Sequence, residues 1–195
     1  MTVSTGYDGK LRLSCAETAK LVRAALKREF PGTKFSVRSK KYSGGASISV
    51  GWTDGPPTPA VDKITQQFAG ADFDGSIDLK CYSDHWLEPD GTVKIAHAQG
   101  TQGSMGYLPE VIGDPPSPNA RLVSFGADFV FCQRDYSDAF TVALRRELCE
   151  AANVYALDMS TRYEVAIVDG RAVPCKGAAE YAQDLFWRLG EHRSY

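Results

Sequence analysis

The chain has 195 residues, of which 43% are hydrophobic and 24% are charged, as is typical of a globular protein with one sizeable core. This composition excludes a disordered chain, a coiled coil and a fibrous repeat. No apolar run approaches the roughly 18–20 residues that a transmembrane helix needs, and the N-terminal residues lack the basic and apolar regions of a secretory signal. We therefore expect a cytoplasmic protein with no membrane partner.

The first predicted element is a helix that begins at a capping box. There Ser14 can accept a hydrogen bond from the Glu17 amide while the Glu17 side chain reaches back. The helix ends at Pro31 and Gly32. Its core face carries apolar residues at helical spacing, namely Val22, Ala25, Leu26 and Phe30. Away from this face lies a basic stripe of Lys20, Arg23 and Lys27.

A β-hairpin is predicted next, because residues 34–38 and 46–52 alternate between apolar and polar side chains. The connection between them, residues 40–45, is basic and rich in glycine. We expect one buried face made of Phe35, Val37, Ile48, Val50 and Trp52. The outward-pointing cations of the first strand are then Lys34, Arg38 and Lys40.

The middle of the chain carries weaker signals. Thr58 is a plausible N-cap for a short amphipathic helix that ends at Gly70. Short strands are predicted around residues 77–79 and 93–95. Residues 114–118 contain three prolines, which cannot lie inside a helix or a central strand, so we expect a loop or linker there.

The last third of the chain begins with a strongly apolar strand, predicted over residues 122–132. Ser137 can cap the helix that follows. Asp169-Gly170 indicates a two-residue hairpin turn between residues 163–168 and 171–173. A final helix is predicted from apolar residues at helical spacing, which are Ala178, Tyr181, Leu185 and Leu189.

Together these elements predict an α+β fold in which three to four amphipathic helices pack on a mainly antiparallel sheet. Residues 1–108 form an N-terminal α-β-β-α part, and residues 109–120 are a proline-rich loop or linker. Residues 121–195 form a C-terminal β-α-β-β-α part, which we expect to pack with the first part into one compact unit.

The near-neutral net charge of −2 conceals a segregation of charge along the chain. Residues 1–41 contain ten Lys or Arg against three Asp or Glu, whereas residues 42–120 contain three against ten. A chain with two such segments can present two electrostatic faces, or the charges can simply cover solvated surfaces. The candidate basic binding residues are Lys20, Arg23, Lys27, Lys34, Arg38, Lys40 and Lys41, with Tyr42 as a stacking ring. The candidate acidic face consists of Asp54, Asp62, Asp72, Asp74, Asp78 and Asp84.

Catalytic signals are sparse. The five cysteines are scattered without a C-x-x-C pair, so reduced thiols are expected rather than a structural disulfide. The closest grouping of metal-ligating types, which matches no standard zinc module, is Cys81, Asp84, His85 and His97. Cys81 or Cys132 could act as a nucleophile with one of these histidines as base, but no third group orients them. No nucleotide-binding motif occurs. We therefore assign no catalytic residue, metal or cofactor.

Several segments nevertheless resemble a known family. These segments are the helix run Ala19–Lys27, the segments Phe30–Arg38, Tyr42–Gly45 and Trp52–Pro56, and the later Phe73-Asp74-Gly75 and Phe125–Phe131. Together they resemble the large polyvalent protein-associated domain that is twenty-ninth in its series, over roughly residues 14–140. This resemblance implies an α+β domain of phages and conjugative elements. Its polyvalent proteins are thought to act early in a host and to help incoming DNA survive.

Three functions remain open on these observations. The first is a non-enzymatic accessory protein that binds a host protein or ribonucleoprotein complex in the host cytoplasm and counters a defence system such as CRISPR or restriction. The acidic residues would then occupy a nucleic-acid channel on the target. The second is direct binding of DNA or RNA through the basic residues and Tyr42. The third is a metal-dependent hydrolase or nuclease.

Overall fold

The computed structural model describes residues 4–5, 9–140, 165–168 and 171–174. Strands dominate this part of the chain and helices are few, which makes the fold α+β as expected. The chain divides into two compact units, Met1–Trp52 with Ala60–Gln133, and Thr53–Pro59 with Arg134–Tyr195. The predicted division at the proline-rich stretch stays a prediction. Within the described residues, the helices are too short or too polar to traverse a lipid bilayer.

The larger sheet has seven strands in the order β1-β2-β9-β6-β7-β8, with β5 paired to β6 outside this path. Its strands are β1 (Ser4–Thr5), β2 (Leu11–Arg12), β5 (Ala71–Asp74), β6 (Leu79–Leu87), β7 (Val93–Ala98), β8 (Val111–Ile112) and β9 (Arg121–Ser124). The neighbouring strands run antiparallel except β2 and β9, which are parallel. Most of the sheet is therefore antiparallel, in agreement with the sequence.

A second sheet has three strands in the order β10-β4-β3, where β3 is Ser36–Tyr42, β4 is Gly45–Thr53 and β10 is Phe129–Asp135. The antiparallel register of β3 and β4 pairs Tyr42 with Gly45, which confirms the predicted hairpin. The two strands β11 (Val165–Val168) and β12 (Arg171–Pro174) pair through Val168 and Arg171, which confirms the second hairpin. The predicted final helix lies outside the described residues.

Helix α1 (Cys15–Glu29) begins at the predicted capping box, in which the Ser14 side chain accepts from the Glu17 amide and the Glu17 carboxylate accepts from the Ser14 amide. The helix packs against the second sheet. Their shared core contains Val22 and Leu26 from the helix and Val37, Ile48, Val50 and Trp52 from the hairpin. Helix α2 (Thr58–Thr65) and the 3₁₀ turn Gln66–Phe68 contribute Val61 and Phe68 to the same core.

Two sequence predictions are wrong in detail. The strand expected around residues 77–79 begins only at Leu79, because the preceding residues form the turn between β5 and β6. The single strand expected over residues 122–132 is broken into β9 and β10, which belong to different sheets. The break occurs at Gly126, where a Cβ atom would lie 2.8 Å from the Cys15 nitrogen. The start of α1 thus approaches this backbone closely at the point where the chain passes from one sheet to the other.

Candidate functional site

The second sheet has one buried face and one open face. Val37, Ile48 and Val50 lie on the buried face, and successive residues of a strand point to opposite sides. Arg38, Lys40 and Tyr42 of β3 therefore lie on the open face. Their cross-strand partners on β4 are all small residues, in the pairs Arg38–Ser49, Lys40–Ser47 and Tyr42–Gly45. The small residues of β4 thus form a shallow surface beside three long side chains of β3.

Strand β10 adds aromatic rings to this open face. Val130 is buried and Cys132 packs on the core, so alternation places Phe129 and Phe131 on the opposite side. The Phe131 side chain is 58% exposed, which is unusual for a large apolar residue in a sheet. The Phe129 and Phe131 ring centroids are 6.1 Å apart, within the range of aromatic pairs.

Lys80 of β6 lies at the centre of this surface. Its ammonium group donates to the Gly44 carbonyl at 3.0 Å and to the Asp128 carboxylate at 2.9 Å. It also lies 5.7 Å from the ring centroids of both Tyr82 and Phe129, a cation–π distance. The hydrogen bond to Asp128 raises the pKa of Lys80 above its usual value, so the lysine remains charged.

These side chains form one surface, which we call the aromatic platform: Tyr42, Tyr82, Phe129 and Phe131 around Lys80. Three of its four rings are well exposed, at 44% for Tyr42, 64% for Tyr82 and 58% for Phe131. Arg38 and Lys40 stand at its margin on β3. An exposed ring offers a face on which a nucleobase can stack, and nearby cations can contact phosphates. The platform therefore combines the two features of a surface that binds single-stranded nucleic acid.

The structure separates the basic residues that the sequence grouped. Lys20, Arg23 and Lys27 lie on α1, which covers the buried face of the sheet, and Arg23 donates to the Val37 carbonyl. Lys41 lies on the opposite face of β3 from Lys40 by alternation, and Lys34 precedes the strand. Only Arg38, Lys40 and Tyr42 of the predicted set reach the platform.

The predicted acidic face stays a prediction, and its six residues lie on several elements. Asp84 forms an ion pair with Lys10 at 2.8 Å. Hydrogen bonds from Ser76 and Thr101 lower the pKa of Asp74, the last residue of β5, to about 2. Of the remaining four, Asp54 accepts from the Ser137 amide, Asp62 lies on α2, Asp72 accepts from the Phe73 amide, and Asp78 is in the β5–β6 turn.

Of the residues considered for catalysis, His85 and Cys132 are used in packing, whereas Cys81 is only half-buried. His85 is 4% exposed, its ring lies 4.9 Å from that of Phe125, and burial lowers its pKa to about 4. Burial also raises the pKa of the Cys132 thiol to about 12, so this thiol is not activated as a nucleophile. His97 instead contacts Glu110. Within residues 9–140, no three His, Cys, Asp or Glu side chains come together as ligands for a metal ion.

The platform residues that the sequence reasoning missed are Lys80, Tyr82, Phe129 and Phe131. Lys80 and Tyr82 lie on β6, where the sequence predicts only a short strand around residues 77–79, and the two phenylalanines lie within the apolar strand predicted over residues 122–132. The one available signal was the alternation within residues 129–133, where Val130 and Cys132 fall on one face and the phenylalanines on the other. Which of these two faces is buried depends on which side of the second sheet α1 covers.

The described residues form a mostly antiparallel α+β fold with an exposed aromatic and cationic face on its second sheet. Residues 13–137 match the family described as large polyvalent protein associated domain 29. This match covers more than half of the chain, so the protein belongs to that family and is associated with phages and mobile elements, as the resemblance implied. No curated protein matches the chain, and no solved structure matches it.

Proposed function

We propose that this phage or mobile-element protein binds single-stranded nucleic acid on its aromatic platform. The observation that carries the proposal is the exposure of Tyr42, Tyr82 and Phe131 on one surface whose margin carries Arg38 and Lys40. Large rings are rarely left exposed together in a soluble domain unless they contact a ligand. Bases stacking on such rings contribute about 1–3 kcal/mol each, irrespective of their sequence.

A single strand fits this surface better than a duplex. The platform lies on a sheet whose middle strand bears only small side chains, Gly45, Ser47, Ser49 and Gly51, so its rings face outward over a low floor. Base pairs in a duplex are stacked on one another and do not present their faces to a protein ring. Unpaired bases can be splayed out and can reach the rings while their phosphates meet the cations of β3.

We also propose that such binding serves the host-directed role expected for the family. The bound strand would belong to a host macromolecule, a nucleic acid or a ribonucleoprotein of a defence system, and its capture would protect the incoming element. The support is the family membership together with the platform. In a host that carries the defence system, expression of the wild-type protein should restore phage plating, and a variant without platform binding should not.

Fluorescence anisotropy with a labelled oligonucleotide of about 16 nucleotides tests the binding directly. We expect saturable binding of single-stranded DNA or RNA at micromolar protein and weaker binding of a duplex with the same sequence. Two phosphate contacts from Arg38 and Lys40 predict about a sevenfold loss of affinity when the salt rises from about 50 mM to about 200 mM.

Two charge-reversal variants locate the site. Arg38→Glu/Lys40→Glu should abolish most of the binding, because it inverts the charge at the margin of the platform. The matched control Lys20→Glu/Lys27→Glu makes the same change in net charge on α1, outside the platform, and should retain at least half of the affinity. Absence of single-strand binding by the wild type, or greater damage from the α1 variant, would refute the proposal.

A further inference from the structure

An open cavity of about 290 Å³, which we call the His85 cavity, lies between the 3₁₀ turn after α2 and the strands β6 and β7. Its volume is just below the range of about 300–1,000 Å³ that is usual for larger organic ligands, so it suits a small one. The polar residues that line it are Lys63, Gln66, Gln67, His85 and Lys94. No Asp or Glu of the described residues is among the lining residues.

His85 brings an unused hydrogen-bonding group to this cavity. The side chain is 4% exposed, and neither ring nitrogen makes a hydrogen bond with a described residue. The Nδ1 atom is completely enclosed, so Nε2 is the ring nitrogen that can reach the cavity. Burial keeps the imidazole neutral at pH 7, because it lowers the pKa to about 4. Since an enclosed N–H without an acceptor is costly, the single ring proton belongs on Nε2, where it can be donated to a ligand.

The two lysines of the cavity also lack partners. Lys63 of α2 and Lys94 of β7 are exposed, and neither ammonium group makes a hydrogen bond or ion pair with a residue that the structure describes. The glutamines, in contrast, are used by the protein itself. The Gln66 side chain donates to the Val130 carbonyl and the Gln67 side chain donates to the Lys63 carbonyl, both at 2.9 Å. The glutamine contacts hold the 3₁₀ turn in place, whereas the lysine charges are available.

The carboxylates next to the cavity in sequence are already engaged. Both oxygens of Asp84, the residue before His85, accept from the Lys10 ammonium group, at 3.0 and 2.8 Å. Asp62 interacts with the buried thiol of Cys132. These two acids therefore have other partners than the cavity lysines, and the lining residues carry only positive charge.

We propose that the His85 cavity binds a phosphate group, either free or as a monoester. The phosphate oxygens accept from the Nε2–H of His85 and pair with the ammonium groups of Lys63 and Lys94. A dianion matches two unpartnered cations, whereas a monocarboxylate would leave one of them without a partner. The cavity shares no residue with the aromatic platform, so the two sites can fail separately.

Titration with inorganic phosphate at constant ionic strength and about pH 7.5 tests the assignment, with acetate as the monovalent comparison. Isothermal titration should show one phosphate site per chain, and acetate should bind at least about tenfold more weakly. In the imidazole ¹⁵N spectrum, Nε2 of His85 should shift with the same midpoint, whereas the exposed ring of His97 should not. Equal affinity for acetate, no saturation below about 10 mM phosphate, or binding without a shift of the His85 ring would overturn the proposal.

Charge-neutralising variants locate the site without disturbing the core, because the lysines are exposed. Lys63→Gln/Lys94→Gln should weaken phosphate binding at least about tenfold. The matched control Lys20→Gln/Lys27→Gln makes the same change in net charge on α1 and should retain at least half of the affinity. An equal loss in the two variants would show that phosphate responds only to net charge and would refute the site.

A nucleoside 5′-monophosphate in the same titration distinguishes the two sources of the phosphate group. Tighter binding than inorganic phosphate assigns a monoester, and equal or weaker binding assigns the free ion. In either case Lys63→Gln/Lys94→Gln should weaken the binding, and Tyr42→Ala/Phe131→Ala should leave it unchanged. Loss of binding in the platform variant alone would place the nucleotide on the platform and contradict the proposal.

Discussion

His85 makes the stability of this protein sensitive to mild acid. The imidazole is 4% exposed beside Phe125, and its Nδ1 atom has no hydrogen-bond partner among the described residues. Burial lowers its pKa from 6.5 to about 4, against an opposing effect of the neighbouring Asp84 carboxylate. Lys63 and Lys94 are among the residues that line the small cavity next to His85.

The sign and size of the effect follow from linkage. The unfolded chain takes up a proton at His85 near pH 6.5, whereas the folded chain resists protonation until about pH 4. The contribution of neutral His85 to the free energy of unfolding is therefore fully present above pH 6.5 and is lost as the pH falls from 6.5 towards 4. The complete loss corresponds to about 3 kcal/mol, and about 2 kcal/mol of it should be gone at about pH 5.

Urea unfolding at about pH 7.5 and about pH 5 measures this difference. In His85→Gln, which stays neutral at both pH values, the free energy of unfolding should change much less between the two conditions. The control His97→Gln removes an exposed histidine and should keep the wild-type difference. If the wild type is equally stable at both pH values, or if His85→Gln loses as much stability as the wild type, the assigned role of His85 is wrong.

Two further substitutions test the platform. Gly45→Ala places a Cβ atom against the Asp128 carboxylate and 3.2 Å from the Lys80 ammonium group, so we expect a loss of about 2 kcal/mol in urea unfolding, whereas Gly32→Ala, with nothing within 4 Å, should cost little. Equal stability of the two variants would contradict this packing. Phe131→Ala should weaken oligonucleotide binding about tenfold through the loss of one stacked base, whereas Tyr107→Ala, at an equally exposed ring outside the platform, should not. Anisotropy titrations that show equal effects of these two variants would remove the stacking role.

The sequence alone predicts the local elements of this protein well. Ser14 and Glu17 mark the start of α1, because the capping box satisfies backbone groups within one turn of the chain. The hairpin between β3 and β4 follows from alternation and a short turn, and Arg38, Lys40 and Tyr42 are identified on it. These features depend on residues only a few positions apart, so a linear reading contains the information that they need.

The tertiary structure alone decides how these elements form a surface. Lys80 donates to Gly44, which is 36 positions away, and to Asp128, which is 48 positions away, and it lies over the Phe129 ring. No local pattern predicts that these residues meet. The apolar run 122–132 is divided at Gly126, where the start of α1 lies close to the backbone. Phe131, in the second part of this run, faces outward instead of entering the core. Apolar character shows that a ring can be buried, but the pairing of distant strands determines which face the helix covers. For this reason the sequence identifies Arg38 and Lys40 at the margin of the platform, whereas only the tertiary structure places the aromatic rings beside them.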